Sequence, residues 1–113
     1  MNKVIQDGKV AVILSNYYGT PSWYNDHFEE DLVFDPYIVS LVQEMNANKM
    51  PADEYLEYMQ TYLTDIGMDH VRVGHFLLDL VIEWIPVGSK FIIHEYDGVE
   101  SIVFERELNW FNV

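Results

Sequence analysis

The sequence predicts a small α+β domain, with a mainly antiparallel sheet and a C-terminal β-hairpin packed against a two-helix hairpin. Three observations predict this class: a continuous apolar run near the N-terminus, two middle segments with apolar residues at helical spacing, and an Asp-Gly pair between two β-prone segments. A chain of 113 residues supports one hydrophobic core, so we expect a single domain over 1–113.

The first predicted strand is the run Val-Ala-Val-Ile-Leu at 10–14, which Gly8 and Ser15 bound. A short, continuous apolar run between such residues is typical of a buried strand. The strand leads into 16–26, where Gly, Pro, Ser and Asn recur and predict a loop without a regular element.

Two helices are predicted in the middle of the chain, over 36–46 and 52–66, and the loop 47–51 joins them as a helical hairpin. Asp35 caps free amides at the start of the first helix, and Pro36 fits the first helical position. Gly67 marks the end of the second helix. The expected buried face of this helix comprises Tyr55, Met59, Tyr62 and Ile66, with Leu56 and Leu63 beside them.

The C-terminal third is predicted to be β-structure. A strand at 80–85 precedes a tight turn, and the segments 90–96 and 99–106 flank Asp97-Gly98, which predicts a β-hairpin because both residues tolerate positive φ. In this register the apolar face comprises Phe91, Ile93, Ile102 and Phe104, and Glu95 lies opposite Glu100 as a mildly repulsive pair. Residues 68–78 fit either a strand or a loop.

Acidic residues dominate the charge, with 19 Asp and Glu against 6 Lys and Arg and a net charge of −13. The basic residues are scattered singly, which disfavours direct binding to nucleic acid. The acidic surface suits a basic or DNA-binding partner, or serves only to keep the chain soluble. The absence of cysteine, of a secretory signal and of an apolar run of roughly 20 residues predicts a cytoplasmic protein with no membrane contact.

No catalytic motif occurs in the sequence, so we expect no enzyme, no cofactor and no metal site. His70 and His75 are five residues apart and flank Gly74, which does not match the zinc-protease spacing. His27 precedes an acidic run at 29–31, but a solvated acidic loop explains that pattern better than a cation site.

The loop 16–26 is the predicted binding surface. Its aromatic rings have rigid apolar faces and polar tips, as in residues that anchor protein interfaces or stack on bases, and its glycine allows close backbone approach. The predicted binding residues are Tyr17, Tyr18, Gly19, Trp23, Tyr24 and Asn25. The alternative is that two or three of these rings cap the core beside the first strand.

Several segments resemble a group of small uncharacterised proteins of tailed bacteriophages. They are the strand ending at Ser15 with its Gly- and Trp-containing loop, Leu-Val-Phe-Asp-Pro-Tyr-Ile-Val at 32–39, Glu-Trp-Ile-Pro-Val-Gly at 83–88, Glu-Tyr-Asp-Gly-Val-Glu-Ser-Ile at 95–102, and Trp110. The loop of that group carries a Gly-x-Gly-Trp-type run, of which this chain keeps Gly19 and Trp23. The resemblance implies a phage accessory protein, made in a bacterial host, that acts on host defence or metabolism by binding.

Two functions from different classes follow from these observations. The first is an anti-defence inhibitor that docks on a host protein through the aromatic loop and uses its carboxylates for electrostatic steering. The second is a sponge that sequesters a nucleotide-derived signal in a pocket between the loop and the hairpin. A bound phosphate requires Lys90, Arg72, Arg106 or helix N-terminal amides nearby. Trp110 and Phe111 either seal a sheet edge or form a homo-oligomer contact.

Overall fold

A computed structural model describes residues 2–19, 21–27 and 29–105 and confirms the α+β class with its C-terminal hairpin. Arg106, Trp110 and Phe111 lie outside the described residues, as do the expectations that rest on them. The strands are β1 (Ile5–Gln6), β2 (Lys9–Ser15), β3 (Leu80–Pro86), β4 (Phe91–Tyr96) and β5 (Val99–Phe104). The helices are α1 (Tyr24–His27), α2 (Glu30–Phe34), α3 (Pro36–Asn46), α4 (Ala52–Asp65) and a 3₁₀ helix (His75–Asp79).

Strand β2 lies at the centre of a three-stranded antiparallel sheet with the order β1-β2-β3. Its residues from Val10 to Ser15 are all buried, as the continuous apolar run predicts. The side chains of Ala11 and Ile13 join the core formed with α3 and α4, whereas Val12 and Leu14 belong to a second core beneath the hairpin. The sheet is therefore covered on both faces, by helices on one and by the hairpin on the other.

Both central helices form where the residues that begin and end helices in the sequence predict. The Asp35 carboxylate accepts hydrogen bonds from the backbone N–H groups of Tyr37 and Ile38, so it caps α3 at its first turn. Helix α4 ends before Gly67, which has a φ of 81°. Its buried face differs from the expected one, however: the fully buried residues are Tyr55, Met59 and Leu63, while Ile66 is exposed.

The hairpin β4-β5 forms a separate two-stranded sheet with the predicted register, in which Phe91 pairs with Phe104 and Glu95 pairs with Glu100. Its inner side chains contribute to the second core: Phe91, Ile93, Ile102 and Phe104. The outer face, which includes Ile92 and Tyr96, is exposed. The alternation of the two strands thus gives the hairpin a half-buried inner face and a more exposed outer face.

The structure corrects the expectation that 16–26 contains no regular element, because α1 begins at Tyr24. The Asp26 carboxylate accepts the N–H group of Ser22, and the carboxylate of Glu100 accepts that of Asn25, so this short turn is stabilised at its start. Residues 68–78 form neither a strand nor a simple loop throughout, since the 3₁₀ helix begins at His75.

Candidate functional site

The first part of the predicted binding loop lies directly against the turn of the hairpin β4-β5. The N–H group of Gly19 donates to the carbonyl oxygen of Asp97, and the Tyr18 hydroxyl donates to the Asp97 carboxylate at 3.3 Å. Gly98 is buried at this contact, and a Cβ atom there would lie 1.5 Å from the Gly19 carbonyl oxygen and 2.8 Å from that of Tyr17. Only glycine at this position allows the loop and the turn to approach so closely.

This contact places two exposed tyrosines at the turn of the hairpin β4-β5. Tyr18 is 74% exposed, and Tyr96, which directly precedes Asp97, is 69% exposed. We call the set Tyr18, Tyr96 and Asp97 the aromatic tip. Tyr18 comes from the predicted binding loop, whereas Tyr96 comes from the hairpin and was not among the predicted binding residues. The sequence signal that could have identified Tyr96 is the alternation along β4, which places Tyr96 on the face opposite Phe91 and Ile93.

Two other predicted binding residues serve the core. Trp23 is fully buried in the helical core, and its indole Nε1 donates to the carbonyl oxygen of Leu32 at 2.8 Å. Tyr17 is half-buried, and the centroid of its ring lies 6.3 Å from that of Phe76. The expectation that some of these rings cap the core beside the first strand therefore describes Trp23 and Tyr17.

The remaining predicted residues, Tyr24 and Asn25, line a groove between α1, α2 and β4. The groove has a volume of about 480 Å³. Val33 and Ile93 supply apolar surface, and Lys90 lies in the same lining. The Asn25 side-chain N–H group donates to the Ile93 carbonyl oxygen at 3.4 Å, which joins α1 to β4. The structure thus separates the predicted binding residues into tip, core and groove.

Glu100 is the one strongly buried carboxylate among the described residues and was not predicted to have a structural role in the loop. It is 5% exposed, and its Oε1 accepts the N–H group of Ser15 at 2.9 Å while its Oε2 accepts that of Asn25 at 2.8 Å. Burial raises the pKa of Glu100, and the backbone hydrogen bonds oppose that rise. Its neighbour Glu95 accepts the N–H group of Gly98 instead, so both carboxylates are bound to backbone amides.

The histidines and acidic side chains give no sign of a metal centre in the described part of the chain. No group of three or more His, Asp or Glu side chains is placed there to hold an ion. Nδ1 of His27 lies 2.8 Å from the carbonyl oxygen of Trp23, and Nε2 of His70 lies 3.7 Å from the carboxylate of Glu29. Both histidines therefore have local partners.

Comparisons of the chain with protein-family models, with curated proteins and with solved structures find no match. Within the described residues, no helix is both long and apolar enough to cross a membrane.

Proposed function

We propose that the protein acts by binding, as an accessory protein of a bacteriophage that docks on a host protein through its aromatic tip. Its role in this proposal is to counteract a host defence or another host factor. The bacteriophage setting rests on the sequence resemblance. The docking surface rests on the placement of Tyr18 and Tyr96.

The observation that carries the proposal is the fixed position of the loop at the tip. The loop backbone binds the hairpin turn at Gly19, and the Tyr18 hydroxyl contacts the Asp97 carboxylate. Such exposed rings, held by a rigid support, are the type of residue that dominates the binding energy of protein interfaces. Because the hydrogen bond from Gly19 to Asp97 exists before binding, docking requires little further ordering of the backbone at Gly19.

The charge of the molecule indicates the chemistry of the partner. The tip carries the carboxylate of Asp97, within a chain of net charge −13. A basic surface, such as that of a DNA-binding protein, would be attracted over a long range and would associate faster at low salt. The proposed partner is therefore a host protein with a basic contact surface.

The test compares three tagged proteins purified from a bacterial host: wild type, the double variant Tyr18→Ala/Tyr96→Ala, and the control Tyr58→Ala. Tyr58 is an exposed tyrosine on α4, beside acidic residues, and lies outside the aromatic tip. The double variant should lose a co-purifying host protein that both other proteins retain, and raised salt should weaken that retention. Equal retention by the double variant would refute docking through the tip.

A second candidate is a sponge for a nucleotide-derived small molecule, with the groove beside Tyr24 as its site. The observation in favour is that this groove lies between the loop and the hairpin and that Lys90 lines it. Against it, the Asn25 amide at the start of α1 already binds the carboxylate of Glu100, so it is not free for a phosphate. Native mass spectrometry of the purified protein tests it: a retained nucleotide-like mass supports the sponge, and a clean mass at saturating added nucleotide contradicts it.

A further inference from the structure

The buried carboxylate of Glu100 contacts both ends of the loop that bears Tyr18. Ser15 is the last residue of β2 and directly precedes the loop, whereas Asn25 lies in the first turn of α1, at its far end. One oxygen of Glu100 accepts each of their N–H groups, at 2.9 Å and 2.8 Å. A single side chain on β5 therefore fixes the separation of the two ends of the loop. We call these two hydrogen bonds of Glu100 the clip.

The free-energy cost of burying the carboxylate of Glu100 indicates that its hydrogen bonds to the loop have a role beyond packing. A buried carboxylate is unfavourable unless hydrogen bonds satisfy it, and an apolar residue would fit the inner face of β5 as Ile102 does. In the described part of the chain, the ion pairs do not include Glu100. Its carboxylate instead accepts hydrogen bonds from backbone N–H groups, including those of Ser15 and Asn25 at the two ends of the loop.

We infer that Glu100 is the positioning residue of the aromatic tip, which by holding the N–H groups of Ser15 and Asn25 sets the direction in which Tyr18 faces a partner. The two hydrogen bonds of the clip do not depend on the proposed function. Their effect on docking rests on the proposed function. Glu100 holds the two ends of the loop, and the hydrogen bond from Gly19 to Asp97 holds the loop between those ends.

Glu95 is a matched control because it is the same residue type, directly opposite Glu100 in the same hairpin. Its carboxylate accepts the N–H group of Gly98 and does not contact the loop ends in any described hydrogen bond. The elements that meet at Glu100 carry other titratable side chains: Lys9, Tyr24, Asp26, His27, His94, Glu95 and Tyr96. A titration at Ser15 and Asn25 must therefore be assigned by comparing Glu100→Gln with Glu95→Gln.

The first measurement needs no partner and uses amide proton NMR of the full chain. In the wild type, the resonances of Ser15 and Asn25 should shift with one shared midpoint as the pH is lowered, because they bind the two oxygens of one carboxyl group. Glu100→Gln should abolish this shared titration and accelerate hydrogen exchange at one or both amides by about tenfold to a hundredfold, as expected for loss of a charged acceptor. Glu95→Gln should leave both signals unchanged.

Separate midpoints for Ser15 and Asn25 in the wild type, or the same loss in Glu95→Gln, would overturn the clip. If Glu100→Gln does not fold, separate midpoints in the wild type would still overturn the clip, because that outcome needs no variant. The second measurement is docking: Glu100→Gln should retain less of the host protein captured through the tip than Glu95→Gln does. Unchanged docking by a variant that has lost the clip would overturn the positioning role. Docking that survives Tyr18→Ala/Tyr96→Ala would instead overturn the proposed function and leave the clip intact.

Discussion

The substitution Gly98→Ala tests whether the loop and the hairpin turn are in contact, because it adds one methyl group at the closest point between them. Gly98 has a φ of 91°, and a Cβ atom there would lie 1.5 Å from the Gly19 carbonyl oxygen and 2.6 Å from the Gly19 carbonyl carbon. Since these are backbone atoms, a side-chain rotation cannot relieve the overlap. The loop must move away from the turn.

Three contributions set the expected loss in the free energy of unfolding. A left-handed backbone costs alanine about 1 kcal/mol relative to glycine. Overpacking costs a further 1 to 3 kcal/mol or so. Displacement of the loop breaks the Gly19 to Asp97 hydrogen bond, at about 1 kcal/mol. The sum is roughly 3 to 5 kcal/mol, which for a chain of this length lowers the melting temperature by about 12 °C or more.

Gly8→Ala is the matched control, because Gly8 also follows an aspartate in a hairpin turn. Its φ is 74°, but a Cβ atom there would meet nothing within 4 Å. Only the conformational contribution applies, so we expect a loss of about 1 kcal/mol, or about 4 °C in melting temperature. Thermal unfolding followed by circular dichroism measures both variants. Equal melting temperatures for Gly98→Ala and Gly8→Ala would refute the contact between loop and turn.

Three further predictions concern individual side chains. Trp23→Ala should lower the free energy of unfolding in urea by about 3 to 5 kcal/mol because the ring is fully buried, whereas Tyr18→Ala should change it by less than about 0.5 kcal/mol; similar losses would contradict their placement. Asp35→Ala should cost about 2 kcal/mol, because Asp35 both caps α3 and accepts the Tyr62 hydroxyl at 2.6 Å, and Asp35→Asn should cost less because asparagine retains the cap. Because burial raises the pKa of Glu100 above 4.5, the folded protein binds this proton more tightly than the unfolded chain does. The contribution of Glu100 to stability should therefore increase as the pH falls through its raised pKa towards 4.5. The wild type should gain stability relative to Glu100→Gln between pH 7 and about pH 5. A difference in the free energy of unfolding between the two proteins that stays constant over this range would contradict the raised pKa.

The elements that the sequence predicts best are those that capping or turn residues begin or end. Asp35-Pro36 and Gly67 mark the helix ends because capping and left-handed φ are properties of single residues. Asp97-Gly98 sets the hairpin register for the same reason. Asp7-Gly8 adopts a similar turn, with φ values of 52° and 74°, yet β1 was not predicted because a strand of two residues has no alternation to recognise.

The remaining features depend on contacts between residues distant in the sequence. The short helix α2 forms because Leu32, Val33 and Phe34 are buried, which a five-residue segment does not indicate by itself. Strand alternation correctly places Glu100 on the inner face, but the partner on that face is Ser15, at a separation of 85 residues. Likewise, nothing local distinguishes buried Trp23 from exposed Tyr18 within one aromatic loop.

Photo-crosslinking tests the proposed docking surface most directly. A benzoylphenylalanine probe replaces Tyr18 in one variant and Tyr58, the 44% exposed tyrosine on α4, in a second, and both are irradiated inside a bacterial host. Docking through the aromatic tip predicts that the probe at position 18 captures a host protein which the probe at position 58 does not. Capture of the same protein from position 58 alone, or no capture from position 18, would contradict it.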